Sequence, residues 1–402
     1  MANYTQRPKS RRSADYKRRN DETNQVDERE ESAARAAKRS KKNNDDDEDD
    51  DRPRAKKRRK KESLFTRLVR AIFPVRGDPP AEAIRKIVFD VAVVALVITG
   101  GSVLYDLLDE AKQITVIEEE NKKLYLEGAL KLDDEQKEAI KREQPEILDS
   151  FMALYAENPD IVGWIEIGDF ISYPVLQADD NDYYLEHNFQ RETTKSGAIF
   201  ADYRNLFAPG EISGNTVLYG HNVWSGSMFA RLSRYYESRL HNEYANRLDF
   251  YKKYPTITFN TLYEESEWKV FACCLFNTRD DLGEVYPYTQ VQEFAGREEF
   301  NSYILEIMDR SAFWTDVDLT YGDSILTLST CYQYSPYSAE TDTRCAVFAR
   351  KVRPGESAEV DVSKVVENPN PLMFTYQRQA EGGSEWKGRS WDTSKLLSYE
   401  TY

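Results

Sequence analysis

The chain has 402 residues, a formal net charge of -15 and four cysteines. That is room for two ordinary domains, and no cysteine spacing resembles a disulfide framework or a zinc site. The charge is spread in opposing blocks, so its total identifies no partner, and no nucleic-acid partner is expected.

From Met1 to about Lys61 almost every residue is Lys, Arg, Asp, Glu, Asn, Ser or Ala. So little apolar surface cannot offset the entropy of ordering, and a disordered charged tail is predicted. It ends in an acidic run, NNDDDEDDD (43–51), and a basic run, RPRAKKRRKK (52–61). Next comes KIVFDVAVVALVITGGSVLYDLL (86–108), apolar from Ile87 to Leu108 apart from Asp90, Asp106 and small residues. That length suits one helix crossing a bilayer, with Tyr105 at an interface; a buried core helix is the competing reading. Lys56 to Lys61, Arg67, Arg70, Arg76, Arg85 and Lys86 precede it, whereas acidic residues follow. The positive-inside rule then places the tail in the cytoplasm and everything after Leu108 outside, with the basic run against anionic lipid.

Residues 109–157 are rich in Glu, Lys, Leu and Ala, and Ile147, Phe151, Leu154 and Tyr155 recur at helical spacing. A stem helix is expected, then one or two helices packed on a domain and ended at Asn158-Pro159. Beyond Ile161 eight short strand-like segments follow, at 161–167, 171–177, 197–202, 215–223, 256–263, 268–277, 324–331 and 344–352. Few helices interrupt them, at 228–246 and 291–310, so the fold class is mainly β, an eight-stranded closed or nearly closed barrel. The second interruption, in the connection between the sixth and seventh strands, is the expected wall of a binding groove. Residues 354–402 return to polar sequence, a tail lying on the domain or mobile.

The chemistry rests on few residues. Cys331 ends the strand SILTLSTC, either as a filler thiol or as a nucleophile held there. Of three histidines, His187 and His241 sit in polar surroundings, whereas His221 follows NTVLYG at a strand end, as Cys331 does. An imidazole beside a thiol takes its proton and returns it to a leaving amine. Arg344 opens the next strand, so a hairpin would bring its guanidinium beside Cys331, where it would stabilise a thiolate and an oxyanion. Arg350 shares that strand face but lies about 20 Å further along at 3.3 Å per residue.

TLSTC (327–331), LYGHN (218–222) and TRCAVFAR (343–350) together resemble the sortases, membrane-anchored cysteine transpeptidases of Gram-positive bacteria. The helices before IVGWIEI, the segments YPVLQADDNDYYLEHNF and GAIFADYRN, and the long sixth-to-seventh connection resemble class B. The resemblance covers about 140–353. It implies a sortase-type barrel with Cys331 as nucleophile, His221 as acid and then base, and Arg344 as oxyanion support. Ser329, on the Cys331 face by alternation, and Thr330 are expected substrate contacts. No metal or cofactor is expected. The implied substrate is a secreted protein with a C-terminal NPxTN- or PxTG-like sorting motif, cut after Thr and passed to an amine of a peptidoglycan precursor or a pilin subunit. The expected organisation is a cytoplasmic tail (1–85), a single plasma-membrane span (86–108), an extracellular stem (109–140), a catalytic domain (141–353) and a C-terminal extension (354–402). An extracellular cysteine peptidase that only hydrolyses, and a non-catalytic surface assembly protein, are the alternatives.

Overall fold

The structure, a computed structural model, describes residues 63–237, 247–333 and 337–397. The tail read over 1–61 and His241 lie outside them. The chain separates into two units, one ending at Val94 and one beginning at Ala95.

All eight expected segments form strands: β1 Ile161–Ile167, β2 Ile171–Leu176, β3 Ile199–Ala201, β4 Asn215–Tyr219, β5 Thr256–Thr261, β6 Glu267–Phe276, β7 Ile325–Cys331 and β8 Arg344–Lys351. They close a barrel in the order β1-β2-β3-β4-β7-β8-β6-β5, with β5 returning to β1. Pairing is parallel between β2 and β3 and between β4 and β7, and antiparallel elsewhere. β4 is shorter than its expected segment, so His221 belongs to the loop after the strand.

Ile165, Val175, Leu218, Trp268, Leu328 and Val347 belong to one buried core cluster of the barrel. At about 1.5–3 kcal/mol for each large apolar side chain, such burial is the main force closing it. A second cluster joins Phe271, Ile325 and Phe348 to Phe300, Ile304 and Ile307 of a helix, Arg297–Arg310. That cover buries both faces of β6, β7 and β8, which is why their sequences run apolar with little polar alternation.

The helices of the described residues, in chain order, are α1 Leu64–Ile72, α2 Pro80–Glu127, α3 Asp134–Glu143, α4 Asp149–Glu157, α5 Arg247–Lys253, α6 Arg297–Arg310 and α7 Thr375–Glu381. α1 falls in the stretch read as tail. α2 is 48 residues long, about 72 Å at 1.5 Å per residue, and among the described residues it alone is long and apolar enough to cross a membrane. The stretch read as a stem is not a free spacer. Ile114 is buried in the barrel's core cluster, Tyr125 stacks on Trp164 at 4.5 Å, and Gln190 donates to Asn121 (2.9 Å). α3 starts at a capping box between Asp133 and Gln136, and Phe151 and Leu154 of α4 pack with Trp164.

Both helical interruptions need correction. Within 228–246 the described part is a 3-10 run, Ala230–Tyr235, and 238–246 lies outside the described residues. Phe229, Leu232 and Tyr235, each 0% exposed, recur at intervals of three, the period at which 3-10 side chains line up. In 291–310 the helix begins only at Arg297, because the carbonyls of Val291 and Gln292 bond Asn215 at the start of β4.

The C-terminal extension lies on the second unit. Val366–Glu367 pairs with Phe313–Trp314, Arg389 grips Asp309 (2.8 Å), and Trp391 and Leu396 are buried in the α6 cluster. Glu381 of α7 accepts hydrogen bonds from Tyr236 and from Tyr337, which follows the end of β7.

Candidate active site

β7 carries Thr327, Ser329 and Cys331 on one face. Thr327 donates to Asn215 (2.7 Å) and Ser329 bonds the Tyr288 hydroxyl (2.8 Å), both buried under the α6 side of the barrel. Cys331 is the first residue of that face to emerge from cover. It is half-buried, while Cys273, Cys274 and Cys345 are buried, and all four thiols are free. Burial pushes the Cys273 and Cys274 thiols well up, which keeps them protonated and unreactive.

Arg344 is the register partner of Cys331 across the β7–β8 pair, so the two side chains share a face. Burial works against the guanidinium's charge, but Cys331 and Asp342 outweigh it and hold its pKa above the ordinary value. Arg344 donates through Nη1 to the Asp342 carboxylate (2.5 Å) and, at 3.4 Å, to its carbonyl, which leaves other N–H donors of its five on Nε and Nη2. Burial favours the neutral Asp342 carboxyl; the Thr278 hydroxyl (2.7 Å) and Arg344 prevail and hold it below the usual carboxylate range.

His221 arrives by a different route. β4 and β7 are adjacent and parallel, so both chains leave the barrel at the same rim. The Gly220 N–H donates to the Ser329 carbonyl (3.2 Å) and the Asn222 side chain to the Cys331 carbonyl (2.8 Å). His221 therefore stands between two residues fastened alongside 329–331. A Cβ on Gly220 would come within 2.8 Å of the Phe229 ring, so only glycine admits this turn. The His221 ring bonds the Leu185 carbonyl through Nε2 (2.9 Å). A carbonyl only accepts, so that nitrogen carries hydrogen and Nδ1 is the one left to take a proton.

The other expectations fare differently. Ser329 is on the expected face but is 3% exposed, its hydroxyl held by Tyr288. Thr330 lies on the opposite face: its register partner Cys345 belongs to the barrel core cluster, and the Thr330 hydroxyl is buried with no hydrogen-bond partner. Both side chains are buried. His187 stacks on Tyr183 at 4.1 Å and bonds its carbonyl. Asp342 and Tyr288 were missed; the short DTR turn signals the first, and nothing local signals the second.

The sortase domain family model matches residues 166–352. Sortase B of Listeria monocytogenes is 36% identical over 187 residues, covering 46% of this chain and 68% of that protein. Sortase B of Staphylococcus aureus is 33% identical over 215 residues, covering 53% and 79%. Among solved structures, a Staphylococcus aureus sortase B–substrate complex is 29% identical with a TM-score of 0.47, covering 61% of this chain and 98% of that one. The chain belongs to the sortase family, with the class B sortases as its relatives, and is a cysteine transpeptidase.

Proposed function

We propose that the chain cuts a secreted protein after the Thr of a C-terminal NPxTN- or PxTG-like sorting motif and joins the new end to an amine of a peptidoglycan precursor or pilin subunit. The Cys331 thiolate attacks the Thr carbonyl carbon, and Arg344 receives the oxyanion. The peptide C–N bond breaks as His221 protonates the leaving amine. The incoming amine then gives a proton to His221 and attacks the thioester, releasing the Cys331 thiolate. One observation carries the assignment: the only partly exposed thiol of the four lies across from Arg344 and beside the loop that holds His221.

The proposed organisation puts the span over 86–108, residues 1–85 in the cytoplasm with the basic run against anionic lipid, and the catalytic region outside. The exposed apolar side chains of α2, Val91 at 63% and Leu96 at 71% among them, and the basic residues before Ile87 support it.

The test uses the full chain in detergent micelles with fluorogenic peptides of both motif types, with and without a glycine peptide or a diaminopimelate-containing peptide. The expected result is an acyl adduct on Cys331 that the amine converts to a ligated peptide. An adduct resolved by water alone in the presence of amine would make the protein a peptidase, and no adduct with either motif would remove the substrate class.

Arg344→Ala is expected to lower kcat/KM by about 10²–10³, the usual loss for one oxyanion donor, with Arg344→Lys recovering part of it. Steady-state kinetics on the ligating peptide decides this; an unchanged kcat/KM would take the oxyanion role from Arg344.

A further inference from the structure

Helix α1, LFTRLVRAI, is sharply two-sided. At 100° per residue Leu64, Phe65, Leu68, Val69 and Ile72 share one face, and Arg67 and Arg70 the other. The apolar face is not used within the described residues: Leu64 is 85%, Phe65 74% and Leu68 60% exposed, and Phe73 just beyond the helix is 51% exposed. The connection to α2 is fastened. Lys86, only 4% exposed, donates to the Arg70 carbonyl (2.7 Å) and to Asp78 (2.9 Å), and Asp78 also accepts the Val75 N–H (3.0 Å). Lys86 is the last residue before the apolar run begins at Ile87. The C-terminal end of α1 is therefore tied at the level where that run starts.

Resting on the reading of 86–108 as a membrane span, we propose that α1 lies flat in the headgroup layer of an anionic bilayer. Its Leu64, Phe65 and Leu68 face enters the acyl boundary, and Arg67 and Arg70 meet lipid phosphates. Two observations select lipid as the occupant. The polar face is cationic, with Arg76 beyond it and the run 52–61 before it, which complements anionic headgroups. The tie through Lys86 keeps the helix within reach of the membrane that the adjoining span enters, so no encounter with a separate partner is required.

The experiment places single nitroxide labels in the full chain, on a Cys331→Ala background whose other thiols are buried, through Phe65→Cys, Arg67→Cys, Leu68→Cys, Arg70→Cys and Val94→Cys. Nanodiscs of mixed phosphatidylglycerol and phosphatidylcholine are compared with phosphatidylcholine alone, and depth is read from collisions with oxygen and a water-soluble nickel chelate. The labels at 65 and 68 are expected to lie about 5–10 Å below those at 67 and 70, in anionic lipid more than in neutral. Labels at 65 and 68 as open to nickel as those at 67 and 70, with Val94 in hydrocarbon, would overturn the proposal and leave the span. Equal depth in neutral lipid would overturn the anionic preference. Strong spin–spin broadening at 68 would replace lipid by a second copy as the occupant. A label at 94 open to nickel would mean that the span reading had failed, a separate outcome from the first.

Discussion

Cys331→Ala is expected to lower transpeptidation at least about a thousandfold, because only a thiol forms the thioester and the other three thiols are buried. Its stability should change by no more than about 1 kcal/mol, since the side chain is half-buried at a strand end and fills no core space. The buried thiols make the contrast. Cys274 lies against the Ile307 carbonyl (3.3 Å) and Cys273 lies 3.7 Å from Cys345, all at 0% exposure. Replacing any of them by Ala is expected to cost about 1–3 kcal/mol through the cavity left behind while sparing kcat. Urea midpoints and ligation rates on the four single variants check both halves. Reaction of the native chain with a small thiosulfonate should consume one thiol of the four. Activity retained in Cys331→Ala would remove the nucleophile assignment outright.

Arg350→Ala is expected to be the most damaging change to the fold. Its guanidinium is 0% exposed and grips both oxygens of Glu356 at 2.7 Å, with Lys269 on the same carboxylate at 2.6 Å. Removing the arginine opens a large space and strips Glu356 of its main partner; since Glu356 is a quarter exposed and keeps Lys269, the loss is expected toward the lower end, about 3 kcal/mol, of what breaking a buried pair costs. Arg350 is the register partner of Ile325, at the far end of β7 from Cys331, so activity per folded molecule should persist well below the melting temperature. The pair also fixes a pH dependence. Arg350 first, then Lys269 and the Arg353 N–H, against the opposing effect of burial, hold the Glu356 carboxyl far below its ordinary value. A carboxyl depressed in the folded state stabilises it above the unfolded pKa, about 4.3, and that stability is lost as pH falls below this value. Wild type should lose stability steeply on acidification below about pH 4. Glu356→Gln should be less stable at neutral pH, with a flatter acid limb in pH-resolved thermal melts.

Much of this was legible in the chain because strand periodicity is local. Each of the eight segments holds its apolar residues within a few positions of one another, and all eight became barrel strands. Cys331 at the end of SILTLSTC and Arg344 at the start of the next strand needed only a hairpin to meet, and the register pairs them. Alternation alone also places Thr330 on the face opposite Cys331, which the expectation of a contact there left unused. Residues 228–237 misled because their apolar residues fit a helix period and a period of three almost equally well over so short a stretch.

What the sequence by itself determined, then, was which segments extend, which stretch of helix is apolar enough to cross a membrane, and which thiol and guanidinium face one another. The tertiary structure decided the rest. It set β4 beside β7 in parallel, which brings His221 to the rim that holds Cys331. It covered Ser329 with Tyr288, laid the C-terminal extension along α6, and packed residues 114–125 of α2 on the barrel. Each of these joins residues far apart in the chain through burial, hydrogen bonds and parallel pairing. No local pattern encodes such contacts, because their energy exists only once both partners leave water together.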